Sequence, residues 1–257
     1  MPNLEQINDS VIMTKIKETV KKKYAEALEK SKKDKDTTCC TEGSPVEHKR
    51  PEKGLFSGEL IAPSFGCIYD LPGKAEIKEG DVIVDFGSGS GYDLIRAAKI
   101  TGDKGKVIGI DMTLDMVKQA QDNAQKMNLT NIEVKLGEIE NVPLDDNIAD
   151  IVISNCVINL SPDKQAVFNE AYRILKPGGR LVDADKIADK ELPKSLQENS
   201  DAWCGCVSGA LTKEGYEEVI GKAGFIDIDI ELADQSSFKW EGKDIILHNG
   251  ILRAKKQ

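Results

Sequence analysis

The sequence has few histidines, no long apolar run and no excess of positive charge. Of its 257 residues only two are histidine, and the formal net charge is −9. So acidic a chain argues against nucleic acid or an anionic membrane as the main partner. No apolar stretch approaches the length of a membrane span, and the N-terminus lacks the apolar core of a secretory signal. We therefore predict a cytoplasmic protein whose cysteines are mostly reduced.

The most informative segment that is present covers residues 82–93. It predicts a buried strand that runs into a glycine-rich turn and opens a helix. Gly87, Gly89 and Gly91 would let a nucleotide-like cofactor lie against the backbone, and the start of the helix offers unpaired N–H groups. A dinucleotide fingerprint places its third small residue at position 92, where this chain has Tyr92. NAD and FAD are therefore disfavoured.

Apolar runs and amphipathic segments alternate after this turn. The next strands are predicted over 106–111, 132–137, 149–155 and 180–185. Helices are predicted over 114–127, with Thr113 as N-cap, from Ser161 to about Leu175, with Pro162 at the first helical position, and over 213–223. Two further runs, 225–232 and 244–254, suit a closing hairpin. This alternation predicts an α/β fold, a mostly parallel sheet with helices on both faces.

The N-terminal part differs in character from this core. Apolar residues recur at helical spacing from Ile7 to Leu28, which predicts one amphipathic helix. Residues 32–59 are polar, with glycine and proline, and predict a loop or lid that carries Cys39 and Cys40. We divide the chain into an N-terminal helix and lid over 1–60, a cofactor-binding core over 61–187, and a substrate-binding insertion with the closing helix and hairpin over 188–257.

Two acidic residues near the glycine turn stand at positions that suit nucleotide binding. Asp85 stands two residues before the first glycine, and Asp111 ends the next strand, where a carboxylate can hold both ribose hydroxyls of a nucleotide. This pattern resembles motif I of the class I S-adenosylmethionine methyltransferases. The resemblance implies S-adenosylmethionine as cofactor and a Rossmann-like, seven-stranded sheet. The residues expected around the cofactor are Asp85, Gly87, Ser88, Gly89, Gly91, Asp111, Met112, Glu138, Ile139 and Asn155.

The six cysteines bear on the substrate. A lone cysteine in such an enzyme is usually a small buried apolar residue. Yet Cys156 follows a strand at the edge where this fold places its ligands, and Cys67, Cys204 and Cys206 lie on two other segments that could reach the same rim. No Cys-x-x-Cys pair occurs, and the two histidines show no ligand spacing. A structural zinc site is therefore less favoured than a site for a soft, thiophilic substrate.

The cysteine motifs resemble those of the arsenite S-adenosylmethionine methyltransferases over nearly the whole chain. The pieces that match are Thr38-Cys39-Cys40, Phe65-Gly66-Cys67, Ser154-Asn155-Cys156-Val157-Ile158-Asn159-Leu160 and Cys206-Val207-Ser208-Gly209-Ala210-Leu211. The resemblance implies arsenite and methylarsenite as substrates, and a thioredoxin-like or glutathione-like thiol as reductant.

The same resemblance implies roles for individual thiols. Cys156 and Cys206 would bind trivalent arsenic, Cys67 would be the third thiol, and Cys39 or Cys40 would be redox-active. Ser208 stands where the family has glycine, and Cys204 offers a second thiol close to Cys206. Which of these two thiols binds arsenic is therefore left open.

Two other functions remain open at this point. The chain could methylate another small acceptor, such as a quinone or a sterol-like molecule, with incidental cysteines, which predicts that Cys156→Ser keeps activity. It could instead be a non-enzymatic metalloid sensor or buffer, which predicts tight arsenite binding without methyl transfer. The cysteine pattern argues against the first function, and the complete cofactor motif argues against the second.

Overall fold

The structure is a computed structural model that describes residues 4–33, 66–68 and 70–257, with side chains from residue 14 onward. The first helix, α1, covers Leu4–Lys33 and confirms the predicted N-terminal helix. Its Val20 and Leu28 are buried, as the helical spacing of the apolar residues predicts. The expected lid, with Cys39 and Cys40, lies outside the described residues apart from its first positions.

A seven-stranded sheet forms the centre of the molecule. Its strands are β1 (Val82–Phe86), β2 (Lys106–Asp111), β3 (Ile132–Leu136), β4 (Ala149–Asn155), β5 (Leu175–Ala188), β6 (Ile226–Trp240) and β7 (Lys243–Lys255). Their order across the sheet is β3-β2-β1-β4-β5-β7-β6. The first five strands pair in parallel, whereas β7 runs antiparallel to both β5 and β6. The predicted mostly parallel sheet is thereby confirmed.

Helices cover both faces of this sheet. They are α2 (Leu71–Lys74), α3 (Tyr92–Thr101), α4 (Leu114–Lys126), α5 (Lys164–Ile174), α6 (Lys194–Gln197), α7 (Ser200–Cys204) and α8 (Lys213–Lys222). Successive side chains of a strand point to opposite faces, so Ile83 packs in the cluster with α3 and α4 while Val84 packs in the cluster with α5 and α8. Because β1, β2, β4 and β5 are parallel, their carboxyl ends meet at one edge, where ligands of such sheets bind.

The start of α5 differs from the prediction. Pro162 does not occupy the first helical position, because the helix begins at Lys164 with Asp163 as its N-cap. The Asp163 carboxylate accepts a hydrogen bond from the Ala166 N–H at 3.0 Å, and this bond satisfies a donor of the first turn. Thr113 is the N-cap of α4, as predicted, but its side chain makes no capping hydrogen bond.

Three strands are longer than predicted. The strand expected over 180–185 extends across Leu175–Ala188, with a register irregularity against β4. The closing hairpin is also longer, and it turns at Glu241 and Gly242, whose φ angles are 47° and 78°. Two consecutive residues with positive φ are typical of the type I′ turn that suits the twist of a hairpin.

The segment between β5 and α8, part of the predicted insertion, contains two short helices that the sequence does not predict. Leu196 of α6, Ala202 of α7 and Val207, which follows α7, pack in one buried cluster with Leu247 of β7. This insertion packs against α1, which also contacts α4. None of the described helices is long and apolar enough to cross a membrane.

Candidate active site

The glycine turn after β1 adopts a backbone that favours glycine. Gly87, Gly89 and Gly91 have φ angles of 68°, 51° and 92°. The N–H groups of Gly87 and Ser88 donate to the Ile110 carbonyl at 2.8 and 3.0 Å, which ties the turn to β2. A Cβ at Gly87 would meet Val157 at 2.4 Å, whereas a Cβ at Gly89 would meet no atom within 4 Å. Gly89 therefore borders open space.

That open space is a cleft at the carboxyl edge of the sheet. Among its lining residues are most of those expected around a cofactor: Asp85, Gly87, Ser88, Gly89, Asp111, Met112, Ile139 and Asn155. Gly91 and Glu138 do not line it. Gly91 lies against Ala120 of α4, and Glu138 pairs with Lys17 at 2.8 Å.

Helix α1 adds a wall to this cleft that the sequence does not predict. Lys17, Val20 and Tyr24 line it from the side of the N-terminal helix. Lys17 also lies 3.0 Å from Glu140, and Lys23 pairs with Asp201 of α7 at 2.5 Å. The apolar spacing of α1 signals a buried face, but it does not indicate what that face covers.

Buried carboxyl groups give the cleft an acidic character. Asp111 accepts hydrogen bonds from the backbone N–H groups of Gly89 at 2.9 Å and Thr113 at 2.8 Å. One oxygen of Asp85 and one of Asp93 are buried without a hydrogen-bond partner in the structure. Burial raises the pKa of Asp85 well above its ordinary value, with Asp93 and Asp111 adding to the effect. Burial likewise raises the pKa of Asp93, to about 7.

Such a cleft suits a cationic ligand. An ammonium group would offset the negative charge of the buried carboxylates and donate hydrogen bonds to their unpartnered oxygens. A sulfonium group would add a second positive charge. The same carboxyl groups would repel a pyrophosphate, which agrees with the prediction that NAD and FAD are disfavoured. The residues present therefore fit S-adenosylmethionine, which carries both a sulfonium and an ammonium group.

The thiols predicted to bind substrate gather beside the cleft. The Cys67 and Cys156 sulfurs and a carboxylate oxygen of Asp185 all lie within 4.8 Å of one another. The Cys206 thiol donates to the Cys156 carbonyl oxygen at 2.9 Å, whereas the Cys204 thiol donates to the Ser200 carbonyl within its own helix at 3.6 Å. Cys156, Cys204 and Cys206 share one buried apolar cluster, against which Cys67 packs. The structure therefore favours Cys206 over Cys204 as the thiol of this segment that binds arsenic.

Cys156 and Cys206 have an unusual backbone. Their φ angles are 61° and 57°, in the left-handed region that residues other than glycine rarely adopt. Such a conformation costs about 1–2 kcal/mol for a residue with a side chain. Strain of this kind is typical of functional positions, where the surrounding structure holds a side chain in a required place.

Asn159 joins the two strained segments. Its side-chain amide donates to the carbonyl oxygens of Lys186 at 2.8 Å and Cys206 at 3.2 Å, and its oxygen accepts a bond from the Tyr216 hydroxyl. Its backbone N–H donates to Asp185 at 2.8 Å. Both Asn159 and Tyr216 are fully buried. Asn159 thus fixes the Cys206 segment against β5.

We expect Asn159→Ala to lower the free energy of unfolding by about 2–4 kcal/mol, because it leaves buried donors and acceptors unsatisfied. It should also increase the alkylation rate of Cys206, which is 3% exposed in the wild-type protein. Urea unfolding and mass spectrometry after brief iodoacetamide treatment measure the two effects. Asn131→Ala is the matched control, since Asn131 donates to the Ala98 and Gly102 carbonyls far from the thiols. Equal Cys206 alkylation in both variants would contradict the positioning role.

The fold and the cleft together define a class of protein. A sheet in this order, with a glycine turn after β1 and an acid at the end of β2, is a class I methyltransferase fold. A family profile described as a methyltransferase domain matches residues 77–224, and the chain belongs to that family.

Individual relatives are more specific. The chain is 40% identical over 163 residues to an arsenite methyltransferase of Halobacterium salinarum, which covers 63% of this chain and 42% of that protein. It is 34% identical over 220 residues to the human arsenite methyltransferase, covering 82% of this chain and 58% of that one. A solved arsenic(III) S-adenosylmethionine methyltransferase of Chlamydomonas reinhardtii is similar with a TM-score of 0.63 and 33% identity, over 75% of this chain and 67% of that one.

These relatives are longer proteins. The chain spans 42% of the Halobacterium salinarum relative and 58% of the human one.

Proposed function

We propose that this protein transfers a methyl group from S-adenosylmethionine to trivalent arsenic held by cysteine thiolates. One observation carries the proposal: Cys156 lines the cofactor cleft and also belongs to the cluster of thiols. A substrate bound to Cys156 would therefore lie next to the place where the cofactor is expected. The similarity to arsenite methyltransferases supports arsenic as that substrate.

The chemistry needs little beyond alignment. Bound S-adenosylmethionine supplies a methyl group on a sulfonium. Each thiol of Cys67, Cys156 and Cys206 would form a sulfur–arsenic bond as its proton leaves with an arsenic hydroxide as water, so the exchange is balanced. Arsenic keeps a lone pair opposite its sulfur ligands, and no proton has to be removed from it. Alignment of two bound reactants can lower a barrier by roughly 7–11 kcal/mol at best.

Each of several cleft residues would have a separate role in binding the cofactor or the substrate. Gly89 leaves room for the ligand, the unpartnered oxygens of Asp85 and Asp93 would receive its ammonium group, and Asp111 would hold the ribose. Burial raises the pKa of the Cys67 thiol well above its ordinary value, with Cys156 adding to the effect. Cys67 would therefore stay protonated until arsenic arrives.

The regeneration of the protein is a further part of the proposal. Methyl transfer to its lone pair converts trivalent arsenic to pentavalent arsenic. Reduction back to the trivalent state would take two electrons from thiols, and Cys39 or Cys40 with Cys67 could supply them by forming a disulfide. A thioredoxin-like or glutathione-like thiol would then reduce that disulfide. A cytoplasmic location agrees with this need for reduced thiols.

Arsenic speciation tests the function directly. The purified protein is incubated with arsenite, a thiol and S-adenosylmethionine, and methylated arsenicals are then separated and measured. Methylated products support the proposal. Binding of arsenite without methylated products would instead favour a sensor or buffer, and methylation of a quinone-like acceptor by a Cys156→Ser variant would favour the other methyltransferase function.

We expect the affinity for S-adenosylmethionine to rise with pH between about 6 and 8. Asp93 lines the cleft, and its pKa of about 7 means that it gains its negative charge in this interval. Attraction to a cationic ligand is therefore weaker below the pKa and stronger above it, by about fivefold for about 1 kcal/mol of charge interaction. Calorimetry at several pH values measures the change. Asp93→Asn should remove this component of the pH dependence, and an unchanged profile in that variant would contradict the assignment.

A further inference from the structure

The thiol cluster contains a carboxylate that arsenic chemistry does not explain. Cys67 precedes α2, Cys156 follows β4, and Asp185 lies on β5, yet their donor atoms lie within 4.8 Å of one another. Cys156 and Asp185 are buried, and Cys67 is half-buried. Trivalent arsenic is a soft centre that prefers sulfur, so the carboxylate is a poor third ligand for it.

Asp185 is held in place by the backbone. One of its oxygens accepts the Lys186 N–H at 3.0 Å, and the other accepts the Asn159 N–H at 2.8 Å. Two lysines lie near Asp185, but the Lys186 ammonium group donates to the Asn249 side chain and the buried Lys164 ammonium group donates to the Ser161 carbonyl, so neither forms a hydrogen bond with Asp185. A fixed, buried carboxyl group beside two thiols is costly when all three are ionised, and a bound cation would offset that cost.

We propose that Cys67, Cys156 and Asp185 form a binding site for a thiophilic divalent cation such as Zn²⁺. Cysteine sulfurs and carboxylate oxygens are both zinc ligands, and three protein ligands with a fourth position open are typical of zinc sites that bind a further ligand. Zinc–sulfur bonds of about 2.3 Å and tetrahedral geometry place two sulfurs about 3.8 Å apart, so the donors need to move by about 1 Å or less. Binding would release the thiol protons, and any proton on the carboxyl group, to solvent.

The cation would compete with arsenic. Cys67 and Cys156 belong to both ligand sets, so the two cannot occupy the cluster together. This competition rests on the proposed function, whereas the cation site itself does not. A cation held there would also protect the thiols from oxidation when no arsenic is present.

Titration of the reduced, chelator-treated full chain with Zn²⁺ tests the site. Calorimetry should show one Zn²⁺ bound per chain, and Co²⁺ in its place should give the near-ultraviolet absorption of sulfur–cobalt bonds. We expect Asp185→Asn to weaken Zn²⁺ binding at least about 10-fold, since even outer-shell partners have effects of that size. Asp183→Asn is the matched control, because Asp183 is an equally buried carboxyl group two residues earlier on β5. It should bind Zn²⁺ as the wild-type protein does.

Further readouts keep the test independent of any one variant. Cys67→Ser should lower Zn²⁺ affinity and weaken the sulfur–cobalt absorption, whether or not Asp185→Asn folds. Equal Zn²⁺ affinities in the wild-type protein, Asp185→Asn and Cys67→Ser, or the absence of Zn²⁺ binding, would overturn the site. Zn²⁺ should raise the arsenite concentration that gives half the maximal methylation rate. Failure of the cation-free wild-type protein to methylate arsenite, with Asp185-dependent Zn²⁺ binding intact, would instead overturn the proposed function and support the cation site.

Discussion

A Gly89→Val variant is expected to remain folded but to lose S-adenosylmethionine binding by at least about 100-fold, which corresponds to about 2.7 kcal/mol. A Cβ at this position would meet no protein atom within 4 Å, because the space beside it is the cleft. The valine would therefore fill the volume in which the cofactor is expected to lie. Calorimetry measures the affinity, and circular dichroism measures the fold.

Gly178→Val separates this steric effect from backbone strain. Gly178 also has a positive φ, of 78°, and a Cβ there would also meet no atom within 4 Å, but it is exposed and does not line the cleft. Both variants should lose a similar part of their stability, and only Gly89→Val should lose the cofactor. Wild-type affinity in Gly89→Val would refute the placement of the cofactor.

The second large effect concerns the thiols. Cys156→Ser and Cys206→Ser are each expected to abolish measurable methylation of both arsenite and methylarsenite, because two thiolates are needed for either substrate. Cys67→Ser should abolish methylation of arsenite but retain that of methylarsenite, which has one ligand position taken by carbon. Arsenic speciation with each substrate measures these outcomes.

Comparison with Cys204→Ser shows which thiol of the insertion faces arsenic. The Cys204 thiol bonds to the Ser200 carbonyl in its own helix, whereas the Cys206 thiol reaches the backbone of Cys156. Cys204→Ser should therefore keep most of its activity. A Cys67→Ser protein that methylates arsenite at the full rate would contradict the three-thiol arrangement, and an active Cys206→Ser with an inactive Cys204→Ser would exchange the two roles.

The core of the fold could be predicted from sequence because its signals are local. Short runs that end in an acid or glycine, 106–111 and 132–137, locate β2 and β3, and the glycine turn locates the cleft. The predicted position of Pro162 at the start of α5 is wrong because the next residue, Asp163, supplies the capping oxygen and the helix begins after it. The insertion within 188–257 is predicted, but its helices α6 and α7 are not, because helices of four or five residues show no full period of apolar residues.

The parts of the site that escaped prediction depend on contacts between distant segments. Lys17 and Tyr24 line the cleft only because α1 packs over it. Asp185 joins two thiols that lie 118 and 29 positions away in the chain (185 − 67 and 185 − 156), so no spacing motif reveals the cluster. Sequence motifs for metal sites, such as Cys-x-x-Cys, detect only ligands that lie close together in the chain. A cluster of ligands from three distant segments is therefore not detected by such motifs.

The left-handed backbone at Cys156 and Cys206 has a consequence for directed evolution. Replacement by glycine relieves about 1–2 kcal/mol of strain at each position, which offsets part of the packing lost with the small side chain. Losing either thiol should thus cost less folding energy than losing an equally buried side chain elsewhere. A library selected only for thermostability would tolerate inactive sequences at these two positions, so such a selection has to be coupled to an assay for activity.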